Sequence, residues 1–187
     1  TFFCSFTAYR LLHTRLHRHL GGPGDPDDYY NYTASPGLVW LLQYWRLCLG
    51  SFCYLPLMPI IAWRQARPQE RRWIAQELLL MPWLYGWLAS QVALEVLLPL
   101  WLLPVLLVGC FTNLRGFVQH GLCDRGDSLL ASRSIHPHPL VAFLMLNENL
   151  HLEHHLFPEV PSYHLPALHQ LLRPRYPRSL EASSYFG

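Results

Sequence analysis

The chain has 187 residues, 51% of them hydrophobic and only 14% charged, with a formal net charge of +2. That charge excludes the strongly basic face of a nucleic-acid binder. The long apolar blocks exclude a soluble domain built from short amphipathic runs, which leaves an all-α integral membrane protein, read as one domain over residues 1–187.

The residues before Gly21, "TFFCSFTAYRLLHTRLHRHL", contain neither Pro nor Gly and predict a helix, with no charged start or small-residue cleavage site of a signal peptide. "GGPGDPDDYYNYTASPG" at 21–37 is a loop by its Gly, Pro and Asp content. Residues 38–63 are apolar but carry Arg46, Pro56 and Pro59, and "RQARPQERR" at 64–72 is a basic connector. From Trp73 to Thr112 there is no Lys or Arg. At roughly 20 residues per crossing, this block holds a transmembrane hairpin, 73–112, with its turn near Ala89 to Glu95. Arginines flank it on both sides, so the cytoplasmic bias of Arg places both ends inside. If 38–63 also crossed, the histidines near residues 17 and 154 would face opposite sides of the bilayer, so this stretch is expected to be interfacial or re-entrant. Glu77 and Glu95 are expected near the ends or the turn of the hairpin.

All the cations are Arg and none is Lys, which reads as a composition bias of the source. The five cysteines, Cys4, Cys48, Cys53, Cys110 and Cys123, have no CxxC spacing and read as small hydrophobes in a reducing compartment.

The histidines carry the chemistry. In "NENLHLEHH", Asn147, His151, His154 and His155 follow i, i+4, i+7, i+8 spacing and would share one stripe of a helix that Pro158 ends. "HTRLHRH" places His13 and His17 one turn apart on one face, with His19 rotated away, and "RGFVQHG" supplies His120 just past the hairpin. Neutral imidazoles bind iron, zinc and copper, and several such sets on one membrane face point to more than one metal ion. His136, His138, His164 and His169 read as surface or hydrogen-bonded residues.

"NENLHLEHHLFPEVPSYHLPALHQLL" resembles the third histidine box of the membrane fatty acid desaturase family, and "HTRLHRHLGGPGDPDDY" resembles its second box with the following Asp-Pro-Asp loop. "LRGFVQHG" and "ASRSI" are similar to the segment between hairpin and third box, where the family carries a further ligand histidine. The resemblance covers most of residues 9–172. It implies a cytoplasmic histidine-rich helical cap holding two Fe ions on His13, His17, His120, His151, His154 and His155, with Asn147 a further partner. It also implies O2 as co-substrate, an acyl lipid, acyl-CoA or acyl carrier as substrate, an electron donor such as ferredoxin or cytochrome b5, and an active site facing the cytoplasm.

The orienting residues around such ligands are expected among Glu153, Asp25, Asp27 and Asp28. For the three aspartates, a turn held by side-chain bonds to the backbone is the equal alternative. Two departures stand out. Leu16 occupies the place of a box histidine, which makes His19 a candidate substitute, and nothing before His13 supplies the family's first box. An N-terminally truncated member, inactive as this fragment alone, or a non-catalytic degenerate relative are the expectations that follow. A related diiron carotenoid ketolase or hydroxylase, or a lipid hydroxylase, is the alternative activity.

Overall fold

A computed structural model describes residues 4–121, 123–124, 126–175 and 181–182. The described residues form seven α-helices. They are α1 (Phe6–His19), α2 (Pro36–Gln65), α3 (Pro68–Ser90), α4 (Leu94–His120), α5 (Pro139–Leu144), α6 (His151–Leu156) and α7 (Leu165–Leu172). A two-residue parallel pairing joins β1 (Ser134–Ile135) to β2 (Glu181–Ala182), with Ser134 opposite Glu181. The chain divides into two compact units, one of residues 1–15 and 44–114, the other of 16–43 and 115–187.

The first unit is built on small and apolar side chains. Cys4 just before α1, Ala8 and Leu12 of α1, Met58 and Ala62 of α2, Ala66 of the connector and Ile74 of α3 form its buried core. The start of α1 is tied to α3 by polar bonds: the Ser5 hydroxyl and the Thr7 amide and hydroxyl donate to the Glu77 carboxylate. Those bonds satisfy donors that a helix N-terminus otherwise leaves open. Glu77 therefore lies inside α3, near the start of the 73–112 stretch, and serves α1. Glu95 does sit in the first turn of α4.

α2 is one unbroken helix of 30 residues, not a chain interrupted at Pro56 and Pro59. Each proline removes one N–H from the ladder, yet such losses are tolerated where neighbouring helices pack closely. α2 meets α4 where Gly109 lies under the Phe52 ring; a Cβ there would stand 2.5 Å from Phe52 Cζ. One turn on, Asn113 is buried; it accepts from the Ser51 amide at 2.6 Å and donates to the Cys48 carbonyl at 3.3 Å. Small residues and an amide between helices are how apolar segments associate without a hydrophobic driving force.

The connector expected at 64–72 shrinks to Ala66 and Arg67, because Pro68 opens α3 and Glu70 accepts from both the Arg67 amide and its guanidinium. That guanidinium and amide hold the Glu70 carboxyl down to about 2. The turn between α3 and α4 falls at Gln91–Ala93, inside the expected window. Within α4, residues Leu98–Leu102 widen to a π-turn, which makes room for Pro99 and Pro104.

Two helices are long and apolar enough to cross a membrane, Pro36–Gln65 and Leu94–His120. The segment expected to be interfacial or re-entrant thus passes by length and composition, while α3, with Glu70, Arg71, Arg72 and Glu77, does not. Large apolar side chains nevertheless face outward on both arms of the hairpin, with Leu79 75% and Leu100 73% exposed, as lipid-facing surfaces are.

Candidate metal centre

α1 ends where Gly21 takes a left-handed φ of +69°, and a Cβ at that position would come within 2.7 Å of Ala131 Cβ. The chain then enters the Asp-Pro-Asp loop. Asp25 is buried, and its carboxylate accepts from the Gly21 and Asp27 amides at 2.8 and 2.7 Å. Asp28 accepts from the Tyr30 amide. Those contacts answer to the turn reading of the loop. Burial raises the Asp25 carboxyl to about 6, against the lowering effect of its two backbone bonds.

At the other end of the second unit, His120 closes α4. Its Nδ1 faces the Ala131 carbonyl at 3.4 Å, so that nitrogen donates and Nε2 presents its lone pair. Arg133 donates to the Gly121 carbonyl at the end of the same helix, and its amide donates to the Gln119 carbonyl. The Gln119 side chain in turn donates to the Glu148 carbonyl. Glu148 pairs with Arg115 at 2.6 Å.

Leu146 and Asn147 both have positive φ, 54° and 63°, and α6 begins only at His151. Asn147 is therefore not on the helical stripe that its spacing suggested, because a left-handed residue cannot continue a right-handed turn. α6 has six residues and stops at Leu156, two before Pro158. Ser134 and Ile135 splint its start: the Ile135 amide donates to Asn149, the Asn149 amide group donates back to Ile135, and the Leu152 amide donates to Ser134 Oγ.

The consequence is a convergence of imidazoles. His151 Nε2 lies 2.8 Å from His120 Nε2, His155 Nε2 lies 3.3 Å from His120 Nε2, and the His151 and His155 nitrogens are 3.0 Å apart. Three nitrogens at mutual contact cannot all be satisfied by hydrogen bonds among themselves, since each neutral ring has one proton and one lone pair. A cation at the centre would satisfy all three. Metal–nitrogen bonds of about 2.1 Å at right angles put ligand atoms about 3.0 Å apart, which matches these separations. Burial, then His120, His155, His154 and Arg115, hold His151 well below the ordinary imidazole range, so it is neutral and able to ligate at pH 7.

His154 points to a second set. Its ring stands edge-on to His17 at 4.7 Å, and His17 also lies 4.5 Å from the His155 ring. Burial and His17 lower His154 from its ordinary value, with Glu148 opposing. His13 is half-buried one turn before His17 on α1, its ring stacked on Tyr9. The donors in both places are imidazole nitrogens, a set that suits ferrous iron as well as zinc.

Other expected site residues lie elsewhere. His19 is exposed, with its ring over Gly24, where a Cβ would meet it at 2.6 Å, so it does not substitute for a ligand at Leu16. Leu16 packs with Leu20 and Ala131 in a small apolar cluster. Glu153 is fully buried, and its carboxylate is bonded to Ser134 Oγ and to His169 Nδ1. His169, read from sequence as a surface or hydrogen-bonded residue, is its buried hydrogen-bonded partner, and the His136 ring lies 4.9 Å from that of His169. Its only sequence signal is that it shares the apolar helix after the box with Leu165. His138 and His164 are exposed, in line with their reading.

No curated protein and no solved structure matches the chain. The sequence model of the fatty acid desaturase family matches residues 1–186, nearly the whole length, and the chain belongs to that family.

Proposed function

We propose that the protein is a membrane diiron desaturase that inserts a double bond into a fatty acyl chain, using O2 and two electrons. The convergence of the His120, His151 and His155 Nε2 atoms, in a member of the desaturase family, is the observation that carries this reading. These three would hold one iron. His17 and His154 would hold the other, with His13, one turn before His17 on α1, as a further donor.

Side chains alone cannot oxidise an unactivated C–H bond; two bound irons supply that oxidising power. The reaction balances as one CH2–CH2 unit, O2, two electrons and two protons giving CH=CH and two waters. The chain's own part is to hold neutral imidazoles in a dry place, to fix the His120 tautomer through Ala131, and to keep the Glu148 carboxylate on Arg115 beside the histidines. The apolar outer faces of α2, α3 and α4 suit a substrate that is itself a lipid, whether glycerolipid, acyl-CoA or acyl carrier. Ferredoxin or cytochrome b5 is the class of electron donor the reaction calls for, at a site facing the cytoplasm.

The test is lipid mass spectrometry of cells expressing the gene in a host with acyl lipids, carotenoids and a reducing partner, with His154→Ala alongside. New acyl species lighter by two hydrogens, absent from the variant, are expected. Oxygen added to a carotenoid or acyl chain would move the protein to the hydroxylase and ketolase branch. Identical lipids in both, from iron-loaded protein, would overturn the reading.

A further inference from the structure

α6 holds His151, His154 and His155 in six residues, fewer than two turns. A helix that short has no rotational stability of its own. No preceding helical turn holds it either, since Leu146 and Asn147 turn the chain left-handed a few residues before it and the entry is tied to Ile135 only at Asn149. Yet the ligand nitrogens depend on its rotation. A turn of about 20° about the axis moves an imidazole nitrogen roughly 7 Å out by about 2.5 Å, more than separates a bonded from a lost ligand.

We propose that the buried Glu153–His169 pair is the positioning clamp that fixes this rotation. The proposal rests on the metal-ligand reading of the three histidines. Glu153 projects from α6 roughly opposite their mean direction, at 100° per residue. It is 0% exposed, and its two carboxylate oxygens are held from two separate elements: Oε2 by Ser134 Oγ on β1, and Oε1 by His169 Nδ1 on α7 at 2.6 Å. Two anchors at an angle define a rotation, where one would leave a pivot.

Ser134 Oγ also accepts from the Leu152 amide, so the same hydroxyl reads both the side chain and the backbone of α6. A purely apolar contact in that place would fill space without setting direction. A buried carboxylate is costly unless fully bonded, so its presence opposite the ligands is best understood by what it orients. Glu153 and His169 are positioning residues, bonded to each other and, through Glu153, to Ser134.

The experiment uses the full-length protein in detergent or nanodiscs, loaded with ferrous iron, and reads iron affinity by chelator competition together with the Mössbauer spectrum. Glu153→Ala and His169→Ala are each expected to weaken iron tenfold to a hundredfold, the range seen when partners of metal ligands are removed. Their double variant should lose no more than the worse single one, because the two act as one unit. Glu153→Gln should recover most of the affinity, since its amide can still accept from His169 and donate to Ser134.

Ile74→Ala, a cavity in the core of the other unit, is the control for lost stability: it should lower the thermal midpoint and leave iron affinity alone. Should Glu153→Ala fail to fold, His169→Ala and Glu153→Gln carry the measurement. Wild-type affinity and spectrum in folded His169→Ala would overturn the clamp. His151→Ala separates the two levels: if it keeps full iron, the ligand reading fails, whereas if it loses iron while His169→Ala does not, the clamp alone fails.

Discussion

At the scale of single residues, the converging histidines are defined by protonation as much as by position. A depressed imidazole pKa favours the folded state above the ordinary value of about 6.5, and that contribution is lost as pH falls. His151 and His154 both shift this way. Bound iron should therefore survive acidification past pH 6.5 and be released only lower, as an iron-release titration would read; full release above pH 6.5 would contradict the burial argument. Asp25 has the opposite sign. Its carboxyl is raised to about 6, so the folded state binds its proton more tightly, and stability falls as pH rises from about 4 through 6. The difference in unfolding free energy between wild type and Asp25→Asn should change by at most about 3 kcal/mol across that window, with Asp27 and Asp28 adding to the repulsion. His138→Ala makes the contrast to a ligand change: the residue is exposed and accepts weakly from the Leu140 amide at 3.3 Å, so activity should hold and stability should drop by no more than about 1 kcal/mol. The ligand candidates were legible because metal chemistry needs a particular donor, repeated, at helical spacing. Glu153 was visible as a candidate but not in its role, since its partners Ser134 and His169 are set by tertiary packing. Leu16 was legible as a departure, while its reason, a place in an apolar cluster with Leu20 and Ala131, was not.

At the scale of elements, the hairpin turn and the ends of α1 follow from composition, because Gly and the absence of charge act locally. The prolines of α2 interrupt its apolar run without ending the helix, whose Met58 and Ala62 on either side of Pro59 are packed into the core. Asn147 misleads, since i, i+4 spacing carries no information on whether the backbone at i is helical. Gly21 gives a direct test of an element boundary. Gly21→Ala places a Cβ 2.7 Å from Ala131 Cβ on a backbone that L residues seldom adopt. The expected cost is about 1–3 kcal/mol of stability, measured by thermal or denaturant unfolding in detergent, and an unchanged midpoint would show that α1 ends otherwise. Because α1 carries His13 and His17, the same change should loosen the second set of imidazoles more than the set around His120.

At the scale of the whole molecule, His17 and His154 lie side by side, so in an inserted chain the segment between them would cross the membrane an even number of times. Of the three long helices in that interval, α2 and α4 are apolar enough to cross and α3 is more polar, so with α4 crossing, an even count would leave either α2 or α3 along the bilayer. Arg64, Arg67, Arg71 and Arg72 gather where α2 meets α3, and under the cytoplasmic preference of Arg that junction would lie inside. Single cysteines introduced at Ala66 and Gln91 in a protein lacking its own five should then label from the cytoplasmic and the external side respectively. External labelling at Ala66 would make α2 the crossing helix and α3 the one that lies flat. The same neighbouring of His17 and His154 also orders events in time. They are more than 130 residues apart in the chain, and His169 comes later still. Loop closure over such distances waits until both segments have been made. On the metal-ligand reading, the nascent protein would expose its first imidazoles long before their partners exist, and metal would be acquired only once both sets are in place.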